Sequence, residues 1–162
     1  MPSVLKRLRQ LAVLEFLNIG FLGGTVLLVL PSRLEVGNLV GFALTALLLT
    51  EGAAYWALKE HQLRTRRRLP RGLGVFRVLR LVNGVALAAG GVVVGYATAT
   101  APGWGSLPGA AFWLLAVLEY INYFVVQLSH ETWADLRRLA RTRRLHPSHL
   151  AIDLRRHRET HP

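Results

Sequence analysis

The chain contains no cysteine, which excludes a disulfide framework, thiolate metal sites and thiol redox chemistry. It has no phosphate-binding glycine loop, no Walker motif and no Ser/His/Asp constellation, so it reads more readily as a non-enzyme. None of its six histidines falls inside a long apolar stretch: His61 and His130 stand at the ends of such stretches, and His146, His149, His157 and His161 lie near the C-terminus. Paired axial haem ligation inside a helical bundle is therefore disfavoured, and no cofactor or metal site is read from the sequence. Acidic residues are also scarce, nine Asp and Glu against 20 Lys and Arg, for a formal net charge of +11.

What is abundant is apolar sequence. Hydrophobic residues make up 52% of the 162, and the mean hydropathy is +0.33. Four blocks stand out, about Gln10 to Leu30, Leu39 to Leu58, Leu81 to Ala101 and Ala110 to Ser129. Each is close to the ~20 residues that a ~30 Å hydrocarbon core requires. The first and third carry almost no charge beyond Glu15, whereas a soluble amphipathic helix needs a polar stripe along its length. The expectation is an all-α bundle of four transmembrane helices over residues 1–129, followed by a basic helical tail over 130–162.

Charge placement orients that bundle. Three Lys and Arg precede the first block, eight lie between Lys59 and Arg80, and eight follow Ser129, leaving Arg33 alone in the other connections. By the excess of positive charge on cytoplasmic loops, both termini and the middle connection face the cytoplasm of an inner membrane. The basic leader and first block resemble a signal sequence, but LLVLPSRLE offers no small-residue cleavage site, so the block is expected to be retained. Arg66, Arg67 and Arg68 in the middle loop and Arg137, Arg138 and Arg141 in the tail are expected to meet anionic headgroups, at about 1 kcal/mol each. The lipid bilayer is thus the expected partner. Nucleic acid is disfavoured, because the basic clusters flank the spans and carry few aromatics for stacking.

The fourth block is the most informative. In AAFWLLAVLEYINYFVVQLSHE, residues 110–131, Glu119, Asn122, Tyr123 and Gln127 recur at i, i+3, i+4 and i+8, one face of a helix. Intramembrane polar residues recur elsewhere. Glu15 and Asn18 share a face in LEFLNIGFLGG, Glu51 and Tyr55 share one that leads to Lys59, and Arg80 and Asn83 open the third block. Laying LEFLNIGFLGG over LRLVNGVALAAGG, and TEGAAYWALKEHQ over LEYINYFVVQLSH, matches Asn18 with Asn83, Glu51 with Glu119 and Tyr55 with Tyr123. The bundle then reads as either two duplicated helical hairpins or a chance alignment of apolar helices.

At ~1.5 Å per residue, Glu15, Glu51 and Glu119 fall about 7 to 15 Å below the cytoplasmic boundary. A charge at mid-span costs about 2.5 to 3.5 kcal/mol, and crowded carboxylates disfavour one another's ionisation. At least one of the three is expected to be protonated or neutralised by a ligand. The functional expectation is a cytoplasm-facing pocket of Glu15, Asn18, Glu51, Tyr55, Arg80, Asn83, Glu119, Asn122 and Tyr123 that binds or moves a proton, a cation or a small amphiphile. The structural alternative is an interhelical hydrogen-bond network in which Arg80 pairs with a glutamate.

Packing and tail complete the reading. Gly20/Gly24, Gly37/Gly41 and Gly91/Gly95 are small-xxx-small pairs, which serve close packing inside one bundle or a seam between copies. The Gly- and Ala-rich third helix is expected at the bundle's centre, and Trp56 and Trp104 at the membrane interfaces. In the tail, HETWADLRRLARTRRL is expected to continue the fourth helix, and Ser148 to cap a second one, HLAIDLRRHR. A basic amphipathic helix beside a membrane lies on the lipid or docks a protein. That supports a second hypothesis, an accessory or scaffold subunit in a homo-oligomer or larger membrane complex.

Overall fold

The computed structural model describes residues 2–28, 35–128 and 146–160. Among them are five α-helices: α1 (Pro2–Leu28), α2 (Val36–Arg64), α3 (Leu73–Thr100), α4 (Leu107–Phe124) and α5 (His149–Thr160). No strand is present among the described residues, only an isolated bridge between Val126 and Pro147. Helices α2, α3 and α4 are each long and apolar enough to cross a membrane. The first expected block, 10–30, runs past the described end of α1, and the expected extension of the fourth helix through the tail lies outside the described residues.

The burial pattern suits a membrane. Phe21 on α1 and Leu81 and Val92 on α3 are 74%, 73% and 72% exposed, while Asn38, Thr45 and Asn83 are at most 1% exposed. Exposed large apolar surface around a partly polar interior is the arrangement that a lipid solvent favours and water does not.

Helix α2 is the centre of the bundle, packing against α1, α3 and α4. This corrects the expectation for α3, whose Val75, Val78, Leu81, Val82 and Val85 are exposed. The reason lies in the small and hydroxyl residues spread around α2. At Gly41 an added Cβ would strike the Gly109 carbonyl, and at Gly109 one would lie 2.6 Å from the carbonyl of Gly37. The backbones of α2 and α4 therefore touch at three glycines, one of them outside the small-xxx-small pairs. The Gly37/Gly41 pair does pack tightly, and Gly91 lies under the ring of Trp113. Gly20, Gly24 and Gly95 have nothing within contact distance.

Polar bonds fix the same seam. Asn38 Nδ2 donates to the Gly105 carbonyl at 2.8 Å, and Asn38 Oδ1 accepts from the Gly109 N–H at 2.7 Å. A side chain of α2 thus satisfies one of the N–H groups that the start of α4 leaves without an intrahelical partner. Two turns further along α2, Thr45 Oγ1 donates to Phe112 O at 2.7 Å. On the other side, Trp113 Nε1 donates to Leu87 O at 2.9 Å and joins α4 to α3.

The turns follow local chemistry. Helix α2 ends in a Schellman arrangement, with Arg66 N donating to Leu63 O and Arg67 N to Gln62 O, and Arg66 takes the left-handed conformation at φ 51°. Buried Gln62 steadies the loop by donating from Nε2 to the Arg67 and Arg68 carbonyls, both at 3.1 Å. Arg66, Arg67 and Arg68 are exposed. In the opposite connection Ser106 Oγ donates to Ala101 O at 2.8 Å, and Trp104 is 87% exposed.

Helix α4 stops at Phe124, earlier than its apolar pattern predicts. The N–H groups of Val125 and Val126 both reach Ile121 O, Asn122 Oδ1 accepts from Leu128 N at 2.9 Å, and Gln127 N donates to His146 O at 2.8 Å. These bonds turn the chain aside and pair it with the segment leading into α5. There Ser148 acts as the expected cap, its Oγ accepting from Ala151 N at 3.1 Å.

Candidate functional site

The starts of α1 and α5 and the ends of α2 and α4 meet at the basic end of the bundle and enclose a cavity of about 370 Å³. Val4, Leu8, Leu11 and Leu63 form an apolar wall. The lining also includes Arg7, Lys59, Asn122, Gln127 and the two tyrosines, Tyr55 and Tyr123. Helical spacing explains the apolar wall on α1, since Val4, Leu8 and Leu11 stand at i, i+4 and i+7.

Both tyrosines are almost wholly buried and each donates to a carboxylate. Tyr55 Oη donates to Asp153 Oδ2 of α5 at 2.8 Å, and Lys59 Nζ reaches the same oxygen at 2.6 Å. Residues Tyr55 and Lys59 are one turn apart on α2, so a single carboxylate can take both donors. Tyr123 Oη donates to Glu15 Oε1 of α1, and its ring lies where a Cβ on Gly52 of α2 would otherwise stand. The Tyr123 carbonyl in turn accepts from Ser148 Oγ. One residue of α4 therefore connects α1, α2 and the entry to α5.

The remaining expected residues divide. Glu119 lies close enough to Glu15 for their charges to interact, and its Oε2 accepts from Asn122 Nδ2 at 3.5 Å. Glu51, one turn before Tyr55 on α2, meets α3, where its Oε2 accepts from Asn83 Nδ2 at 2.6 Å; neither residue lines the cavity. The nine expected residues thus form a group on α1, α2 and α4 and a separate pair between α2 and α3. Asn18 and Arg80 join neither. Both side chains are exposed, and the group of Arg80 that is used is its carbonyl, which accepts from Tyr120 Oη at 3.1 Å. Asn83 is buried and Asn18 is not, and Glu51 is bonded across helices whereas Glu119 is bonded within its own. The aligned positions consequently have unlike surroundings.

One residue at this end was not read from the sequence. Asp153, 3% exposed, was missed; its signal is a lone carboxylate in the basic HLAIDLRRHR, three residues after the buried Leu150. Trp56 packs at 5.1 Å from Tyr55 and 6.0 Å from His149, between α2 and α5.

Among the described residues no cluster of three or more His, Asp or Glu side chains could hold a metal ion. The expected headgroup contacts Arg137, Arg138 and Arg141 lie outside the described residues. Comparison with protein-family models, with curated proteins and with solved structures finds no match for the chain.

Proposed function

We propose that this chain is a small multi-pass protein of the inner membrane, with α1 as a fourth span and the basic end in the cytoplasm, and that it binds a small amphiphile in the cavity at that end. The observation that carries the reading is the mixed lining, which combines Val4, Leu8, Leu11 and Leu63 with Tyr55, Lys59, Asn122 and Tyr123. A site that offers both apolar and hydrogen-bonding groups suits a ligand that has a chain and a polar head. The Lys and Arg distribution supports the orientation. The apolar side of α5 packs within the chain through Leu150, leaving exposed Arg155 and Arg158 as a surface for anionic headgroups.

The test is displacement of a fluorescent long-chain fatty acid and, separately, of a fluorescent long-chain amine from the purified protein in detergent. Leu11→Trp fills the cavity, and Leu81→Trp places the same ring on the lipid-facing side of α3 as a control. The expected result is at least tenfold weaker retention of one probe in Leu11→Trp alone. Equal retention of both probes in the two variants would sink the reading.

A further inference from the structure

Glu51 and Asn83 meet where α2 and α3 pack, away from the cavity, and are 9% and 1% exposed. Asn83 Nδ2 donates to Glu51 Oε2 at 2.6 Å. The second oxygen of each group, Glu51 Oε1 and Asn83 Oδ1, is buried and has no hydrogen-bond partner among the described residues. Both are acceptors, and burying an acceptor without a donor is unfavourable.

The neighbours offer neither a donor nor a countercharge. On α2, Tyr55 donates its hydrogen bond to Asp153 of α5, where Lys59 also pairs. On α4, Tyr123 donates to Glu15 of α1, and Tyr120 to the carbonyl of Arg80. The Arg80 side chain, one turn before Asn83 on α3, is exposed. The ion pairs formed among the described residues are Lys59–Asp153, Arg64–Glu60 and Arg155–Glu159, none of which involves Glu51. An ionised Glu51 would therefore be a buried carboxylate with one amide donor and no cation, an arrangement that a protein interior penalises heavily.

We propose that Glu51 and Asn83 form a proton-binding site, holding one hydrogen as a neutral acid–amide pair. Glu51 Oε1 carries the hydrogen and donates it to Asn83 Oδ1, while Asn83 Nδ2 donates to Oε2. A single proton from solvent then gives a partner to both orphaned oxygens and removes the charge, with no other atom needed. The site is separate from the amphiphile cavity and does not depend on that assignment.

Infrared spectroscopy of the full chain in lipid vesicles at neutral pH tests it, with helicity checked by circular dichroism. Glu51→Gln preserves both bonds as an amide–amide pair. The wild-type minus Glu51→Gln spectrum is expected to show loss of one protonated-carboxyl C=O band. Asn83→Ala removes the donor to that C=O and is expected to shift the band to higher frequency. A difference spectrum that loses carboxylate bands instead overturns the proposal, as does an acid band that Asn83→Ala leaves unmoved, the signature of a bridging water in place of the amide. If Glu51→Gln fails to fold, carbon-13 glutamate labelling of wild type and Asn83→Ala reads the same shift.

Discussion

Lys59 Nζ stands 2.6 Å from Asp153 Oδ2, an ion pair that ties α2 to a helix 94 residues further along the chain. Side-chain exposures of 18% and 4% place the pair between the surface and the buried limits, and the Tyr55 hydroxyl on the same oxygen leaves the carboxylate well satisfied. Removing it strands a buried phenol and a half-buried ammonium. Asp153→Ala is expected to weaken the docking of α5 by about 2 kcal/mol, a factor of roughly 30 in the local opening equilibrium. Hydrogen exchange would show the loss confined to α5 and the adjoining turn of α2. Unchanged protection in α5 would mean that Leu150 and Ser148 alone hold it.

The α2–α4 seam makes a prediction about glycines. Ala at Gly41 or Gly109 must push two helix backbones apart, and Ala at Gly52 must displace the ring of Tyr123. Overpacking of this kind costs about 1 to 3 kcal/mol. Gly20 and Gly24 meet nothing, so Ala there is expected to be neutral, or stabilising by up to about 1 kcal/mol through helix propensity. Thermal midpoints in detergent would separate the two classes. A marked loss at Gly20 would instead identify that face as a seam between copies.

The bond from Tyr123 to Glu15 connects helices that are far apart in sequence. A double-mutant cycle of Tyr123→Phe and Glu15→Leu, which removes the acceptor, isolates it from the packing of the ring, which Phe retains. The coupling is expected at about 1 kcal/mol, within the range measured between membrane helices. Additive effects in chemical denaturation would show that the hydroxyl contributes nothing across the α1–α4 gap.

How much of this was legible in the sequence depends on whether a feature is local. Periodicity placed Glu15, Glu51, Tyr55, Asn83, Glu119 and Tyr123 in helices among apolar neighbours, and Ser148 as a cap, because one turn of helix defines each of those. It could not say which helix a polar face would meet. Asn18 and Asn83 occupy matching positions in similar segments, yet one is exposed and the other bonds Glu51. The end of α4 was misplaced because Val125, Val126 and Leu128 continue the apolar pattern and Gln127 the polar face. What stops the helix there is a set of bonds that includes one to His146, nearly 20 residues away. The central place of α2 depended on Gly109, a lone glycine whose partners are two turns of another helix.

Asn38 gives the sharpest contrast between a polar group that the fold depends on and one that it merely accommodates. Its amide bridges two groups at the start of α4, donating to the Gly105 carbonyl before it and accepting from the Gly109 N–H in its first turn. Asn38→Ala removes both bonds and takes the cap from the Gly109 N–H in an apolar seam, and is expected to cost about 2 kcal/mol. Thr45, equally buried, donates to the carbonyls of Gly41 and Phe112, which lie within helices and have intrahelical donors as well. Thr45→Val keeps the shape and strands neither carbonyl, so it is expected to cost about 1 kcal/mol or less. Denaturation midpoints for the two variants should differ accordingly. Equal losses would mean that the N-terminus of α4 finds another cap, and that the seam is held by its glycines rather than by Asn38.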